Sequence, residues 1–572
     1  MGPASVALCA FAAYFLGYRV YSRFLARSVF RLDDSRPTPA HTLRDEVDYV
    51  PTRPSILFGH HFASITGLAP MLGPAVAVIW GWLPAVLWVV FGAIFVGCVH
   101  DFSAMVLSVR NDGKSVGEVA RDVISPTART LFHFIIFFGV ALAMGVFVFI
   151  IAKLFSLELS KGHPGYPQAV LPSGLLIVVA MIGGWLLYRR GIPLLWVAVV
   201  GFVLELVGIG LGMAFPTLGL DASAWPSGGT WTLILLGYAF IASVLPVWAL
   251  LQARDFLNAL LLYLGLGLAF LGLLFGGHEF AAPATRFTPD GAPSIIPFVF
   301  IVVACGAASG FHGLVSSGTT AKQLDKETDA RPVGYGAMIG ESLLGLLATL
   351  ACTAGISTPE RWHSVYHDWS GVQALEMKID TFIQGTTTFL VSLGLPADAS
   401  AALIAMVVVS FALTTLDSAT RLLRFNIEEI GATFKIPGSN NRYIASALAC
   451  AVIAVFAFYE VDVVGPGGAV SQRPAGLALW QLFGTTNQLL AGLTLVMVTL
   501  YLRHRRLPAW PAALPAIGML ASTIGAMVVN LSKFSDPLLR GVGIVLIVLG
   551  VGVLLESARA MLRPRPSAPV DP

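Results

Sequence analysis

The chain has 572 residues, 56% hydrophobic and 12% charged, with a mean hydropathy of +0.79. Soluble domains carry about 25% charged residues, so the composition argues against a string of soluble domains, a disordered chain, a nucleic-acid binder or a disulfide scaffold. A polytopic membrane protein remains, and its net charge of +3, from 35 basic and 32 acidic residues, conceals how those charges are distributed.

A helix rises about 1.5 Å per residue, so crossing about 30 Å of hydrocarbon takes about 20 apolar residues. Such runs predict fifteen spans, near residues 4–18, 59–80, 84–108, 130–152, 172–188, 192–214, 230–252, 256–276, 297–320, 333–355, 397–416, 443–460, 475–502, 509–531 and 541–558. The stretch 380–395 is too polar for a span and reads as a half-membrane or interfacial helix. The first run has no basic residue before it and Arg19, Arg23, Arg27 and Arg31 after it. That pattern reads as a retained span with its N-terminus outside, not as a cleaved leader. Alternating from there puts 27 of the 35 basic residues on the cytoplasmic face and 8 on the other, as the positive-inside rule expects, with the C-terminus in the cytoplasm.

Span two, HHFASITGLAPMLGPAVAVIWGW, holds Gly67, Pro70, Gly73 and Pro74 at its centre. Proline removes a helix donor and glycine tolerates unwound backbone, which persists at membrane depth only against protein or a wet cavity. Span seven, five spans later, is interrupted by Ser243, Pro246 and Trp248. The odd offset makes the two helices antiparallel, so spans 2–6 and 7–11 read as inverted repeats, each opening on a broken helix, the sequence mark of a secondary transporter's binding site. Two ordinary proline kinks are the plainer alternative.

Charged groups inside spans are costly and mark pathways or pairs. His60, Ser64 and Gly67 share the face of span two that leads to the break, whereas His61 points away toward a neighbour. His100 and Asp101 interrupt span three, with Asp101 either paired structurally or acting in coupling or gating. Glu205 stands alone in span six, as a candidate proton carrier or a buried carboxyl. In span nine Ser309, His312, Ser316 and Thr319/Thr320 form one polar stripe, lumen-facing or bonded back to its own carbonyls. Glu341 lies in span ten, and Asp417, four residues before Arg421, reads as an i,i+4 pair. Thr485, Thr486, Asn487 and Gln488 interrupt span 13, either toward the core or toward a partner. The five cysteines are scattered singly, without metal or redox spacing. No phosphate-binding loop, catalytic motif or helical metal-ligand pair occurs, which argues against ATP-driven transport, an enzyme and a metal site; a ring of acids suited to a channel is not evident either.

FGHHFASITGLAPMLGP (58–74), HDFSAMVLSVRNDGKSVGE (100–118), ACGAASGFHGLVSSGTTAKQLDKETDARPVGYGAMIGE (304–341), LTTLDSATRLLRFNIEEI (413–430) and LFGTTNQLLAG (482–492) resemble the carbon starvation protein A family of bacterial inner-membrane transporters, in family order across most of residues 50–500. The resemblance implies an all-α polytopic protein with a leucine-transporter-like 5+5 inverted-repeat core, importing peptides or small carboxylates such as pyruvate under carbon starvation by proton symport. It implies substrate contacts at Gly67, Leu68, Ala69 and Gly73, with Ser243 and Trp248 of the second broken helix. Coupling or gating falls to His60, Asp101, Glu205 and His312, with an inner cation position near Ser316, Ser317, Thr319 and Thr320. The expected organisation is 1–58 as an N-terminal span and basic loop, 59–214 and 230–416 as the repeats, and 417–572 as accessory spans. Expected partners are a small-molecule substrate and membrane lipid; no cofactor or metal is expected beyond a coupling ion, H+ or alternatively Na+. An ion- or metal-permeable channel and a sodium-coupled amino-acid carrier are the rival readings.

Overall fold

In the computed structural model the chain is described over residues 1–562, except 161, 248, 373, 465–469, 475–479 and 534–536. The principal helices are α1 (Pro3–Val29), α2 (Pro54–Ile65), α3 (Ala69–Trp80), α4 (Trp82–Val109), α5 (Val116–Val123), α6 (Pro126–Phe155), α7 (Pro167–Leu187), α8 (Leu194–Ala214), α9 (Gly228–Val244) and α10 (Leu251–Phe275). They continue as α11 (Ile295–Val303), α12 (Gly310–Val315, prolonged by Ser316–Thr320), α13 (Glu327–Ala354), α14 (Leu375–Val391), α15 (Ala397–Thr433), α16 (Arg442–Phe458), α17 (Trp480–His504), α18 (Trp510–Lys533) and α19 (Pro537–Leu562). The only strands among the described residues are two short antiparallel pairs in loops, Glu158–Ser160 with His163–Pro164 and Glu460–Val464 with Val470–Pro474.

Helix occurs at all fifteen predicted runs, but the number long and apolar enough to cross a membrane is twelve, or up to thirteen if the bent pair α2/α3 is one span. The α9 and α16 helices have 17 residues each and fall short of that length. The polar stretch 380–395 belongs to a largely buried helix, α14, which begins earlier, at Leu375. The lipid-directed surface is carried by peripheral helices: Leu195, Trp196, Val199, Val200 and Val203 of α8 are all exposed. Fully apolar exposure of that kind suits hydrocarbon, not water.

Two long helices frame the centre. α6 has 30 residues and α15 has 37, about 45 and 55 Å at helical rise. α6 starts cleanly because Ser125 caps it, accepting from the Ala128 N–H at 3.1 Å, with Pro126 in the first turn. Between them α2 stops at Ile65 and α3 starts at Ala69, with a 49° bend. Residues 59–80 are buried throughout, so the break is sealed from both faces.

The second interruption differs from the sequence reading. Span seven is not one broken helix: α9 ends at Val244, residues 245–250 form a connector, and α10 is a new helix of 25 residues. Trp248 lies outside the described residues. The second break is in span nine, where α11 ends at Val303, Ala304 takes φ +32°, and α12 begins only at Gly310. No proline marks this break; the small residues of CGAASG permit it.

That unwound backbone is satisfied from α17. Asn487 Oδ1 accepts the Phe311 N–H at 2.9 Å, and Gln488 Nε2 donates to the Ala308 carbonyl at 3.0 Å. The polar interruption of span 13 therefore faces the core. Thr485 and Thr486 bond back to the Leu482 carbonyl at 2.9 and 2.6 Å. Replacing Asn487 by alanine leaves the partly buried Phe311 N–H without its acceptor and should cost about 1 kcal/mol. The check is a lowered melting temperature of the detergent-solubilised protein; an unchanged melting curve would contradict this role for α17.

Candidate functional site

Two buried acid–base networks flank the α2/α3 break. The first begins on α2, one face of which carries His60 and Ser64 at helical spacing. His60 Nδ1 lies 2.7 Å from Asp255 Oδ2 on α10, and Ser64 Oγ lies 3.4 Å from the same oxygen and 3.1 Å from Ser418 Oγ on α15. Arg254, adjacent to Asp255, pairs across the bundle with Asp417 of α15, and Tyr238 of α9 donates to Asp417 Oδ2 at 2.6 Å. Arg254 and Tyr238 also touch directly. The i,i+4 reading of Asp417 with Arg421 is thereby corrected. Arg421 instead donates to the Ala242 carbonyl at 3.0 Å and to that of Leu245, and approaches Asp48 at 3.5 Å. Helix carbonyls at the end of α9 have no intrahelical donors left, so a guanidinium there answers a local need.

The second network joins α4, α12 and α13. His100 Nδ1 is 2.8 Å from Asp101 Oδ1, His312 Nδ1 is 2.9 Å from Asp101 Oδ2, and His312 Nε2 is 3.0 Å from Glu341 Oε2. All four side chains are buried. An imidazole facing carboxylates at both nitrogens has full partners only as the two-donor imidazolium, or with one carboxyl protonated. His312 thus stands between two carboxylates, hydrogen-bonded to Asp101 and at ion-pair distance from Glu341. Among the described residues no group of three His, Cys, Asp or Glu is arranged to hold a metal ion.

α2 touches helices of both networks. His60 turns to Asp255, while His61 Nδ1 lies 2.9 Å from Thr320 Oγ1, at the end of the helix that carries His312. Just beyond, a Cβ on Gly67 would stand 2.8 Å from Thr415 Oγ1 and 2.9 Å from Phe147, so α15 and α6 press on the break from two sides. The N–H groups of Leu68 and Ala69 enter the first turn of α3, where no preceding carbonyl of that helix can receive them. A Cβ on Gly73 would fall 2.5 and 2.6 Å from the Val302 and Val303 carbonyl oxygens, so α3 packs backbone to backbone against the end of α11.

The remaining predicted residues divide. Ser317 and Thr319 donate to their own helix at Gly313 and Val315, at 2.7 and 3.0 Å, which is the back-bonded alternative, and Ser316 Oγ has no partner among the described residues. Ser243 is not brought to the break: its hydroxyl donates to the Phe240 carbonyl at 2.9 Å and meets Ser446 of α16 at 2.8 Å. Glu205 is buried on α8 with neither oxygen partnered among the described residues. Glycines one turn to either side of it pack on Leu257 and Leu175, apart from both networks. Sequence reading missed Tyr238, Arg254 and Asp255. The available signal is the charged pair in LLQARDFLNALLL, which falls between the predicted spans 230–252 and 256–276.

Removing one partner of a buried ion pair leaves an uncompensated charge, at about 3–5 kcal/mol, whereas replacing both is often neutral. Asp417→Asn should therefore lower folded yield and melting temperature sharply, and the double variant Arg254→Met/Asp417→Leu should recover most of the loss. Additive losses in the double variant would contradict the pairing.

The family Carbon starvation protein CstA matches residues 3–366 and 357–526. Peptide transporter CstA of Helicobacter pylori (strain ATCC 700392 / 26695) is 34% identical over 91% of this chain and 81% of its own. Peptide transporter CstA of Bacillus subtilis (strain 168) is 33% identical over 87% and 85%. Pyruvate/proton symporter BtsT of Escherichia coli (strain K12) is 32% identical over 94% and 82%. A solved structure of the Eremococcus coleocola manganese transporter aligns with a TM-score of 0.46 and 10% identity, over 91% of this chain and 99% of that one.

Proposed function

The chain belongs to the carbon starvation protein CstA family and is a membrane transporter rather than an enzyme, and on that premise we propose that it imports peptides or small carboxylates such as pyruvate across the bacterial inner membrane in symport with protons. The observation that carries this reading is the Asp101–His312–Glu341 set, a buried carboxylate–imidazole–carboxylate cluster whose helix, at Thr320, meets His61 of the helix that breaks at Gly67.

Geometry supports the following roles. The break at Gly67, Leu68 and Ala69 offers backbone donors and the N-terminal end of α3, both favourable to a carboxylate. Asp101, His312 and Glu341 hold the coupled proton, and His60 with Asp255 links α2 to α10. The helix after the first break lies against the second break, with Gly73 on the Val302 and Val303 carbonyls and Gly306 close to Pro74. Each is followed by a long helix, α4 and α13, and α6 then packs on α15. An inverted repeat that starts at α2 and α11 accommodates these pairings better than one starting at α2 and α9. The 27-to-8 bias of basic residues supports an outside N-terminus, with α9 and α16 completing fifteen crossings.

A sodium-coupled reading has one observation in its favour: Thr66 Oγ1 and Thr415 Oγ1, beside Gly67, have no hydrogen-bond partner among the described residues. Uptake of labelled pyruvate and dialanine into proteoliposomes separates the two. We expect uptake to follow an imposed pH gradient and to vanish with a protonophore, without need for sodium. Asp101→Asn and His312→Ala should each reduce that uptake at least tenfold while still inserting. Wild-type rates in both variants, or dependence on sodium alone, would contradict the assignment.

A further inference from the structure

Away from both networks, a third set of titratable groups sits where α5, α6 and α15 meet. His133, in the second turn of α6, is buried, and both of its ring nitrogens meet groups from other helices. Nε2 lies 3.2 Å from Glu118 Oε1 on α5; Nδ1 lies 3.0 Å from Asn426 Nδ2 and 3.4 Å from Glu429 Oε2, both on α15. The side chains of Glu118 and Glu429 are 24% and 25% exposed, so the buried imidazole is connected to water through two carboxylates. Ser115, Asn426 and Glu429 line a cavity of about 280 Å3 that reaches Leu314 and Gly318, on the same helical segment as His312. The other charges around it are Arg129, 3.5 Å from Glu118, the Glu428–Arg424 pair at 3.9 Å, and Lys322, whose ammonium lies 4.5 Å from the Phe425 ring centre.

The hydrogen-bond pattern fits two protonation states. With Asn426 Nδ2 donating to Nδ1, the imidazole is neutral and Nε2–H donates to Glu118; that bond holds the Glu118 carboxyl below its ordinary range. Asn426 Oδ1 meanwhile is buried and unpartnered. Turning the amide over exchanges its oxygen and nitrogen, which would give an Nδ1–H an acceptor, with Glu429 as a second one. A histidine serving only to fill space needs partners for one state; this one has them for both.

We propose that His133, between Glu118 and Glu429, is a proton-exchange site at the cytoplasmic mouth, through which the proton carried with substrate is released. The step balances simply: the Nδ1 proton of the imidazolium passes to the Glu429 carboxylate and from there to water in the cavity, and the Asn426 amide turns back to donate to the neutral ring. The proposal rests on the proton-coupled reading above.

The test uses the full chain in proteoliposomes with labelled pyruvate, dialanine run in parallel, and two assays. Net uptake driven by a pH gradient requires proton release; substrate counterflow at equal pH does not. His133→Gln should lower net uptake at least tenfold and leave counterflow within about twofold, a result a misfolded protein cannot give. Glu429→Gln, by removing a negative charge beside the ring, should move the pH profile of net uptake toward acid. Wild-type net uptake in His133→Gln would overturn the proposal, as would loss of both assays in His133→Gln together with unshifted profiles in Glu118→Gln and Glu429→Gln. If the wild type itself ignores the pH gradient, the coupled reading fails first, and the wild-type arm alone reveals it.

Discussion

A backbone donor or acceptor left without a partner inside a membrane costs several kcal/mol, and this structure is arranged around two places where the backbone leaves its helix. At 304–309 the account is closed by side chains from α17: Asn487 takes the Phe311 N–H and Gln488 holds the Ala308 carbonyl. At 66–68 the walls are α6 and α15, pressed in so closely that Gly67 has no room for a Cβ beside Thr415 and Phe147. A helix expected outside the transport core is thus required for the core's irregular backbone to exist.

The same constraint governs the charges. Arg254 is held by Asp417 and lies 3.6 Å from Asp255, and His312 lies between Asp101 and Glu341. His60 and His61, consecutive on α2, turn to different helices: His60 to Asp255 of α10, and His61 to Thr320 at the end of the segment that carries His312.

Much of this was legible in the sequence because its physics is local. Apolar runs placed most of the long helices, though not α5 or the start of α14, and Gly67 marked the first break; Gly73 and Pro74, expected in the unwound stretch, lie inside the helix α3. The second break is not legible because ACGAASG contains no proline; its irregular backbone is met by Asn487 and Gln488, far along the chain. Pro246 misled in the opposite sense, since a connector between two helices and a kink within one look alike in sequence. Asp101 and His312 stood out as charges in apolar runs, but their union did not, and Asp417 was given its sequence neighbour when its partner was Arg254. His133 carries no signal in the sequence, because Glu118 and Glu429 reach it only through the fold.

The central claim is that substrate sits at the α2/α3 break while the Asp101–His312–Glu341 set holds its proton nearby. A structure of the protein bound to pyruvate in lipid tests it most directly. The account predicts the carboxylate within hydrogen-bond distance of the Gly67–Ala69 backbone, between α6 and α15. A carboxylate bound elsewhere, at Arg254 or in the cavity beside Lys322, with the break unaltered, would contradict it.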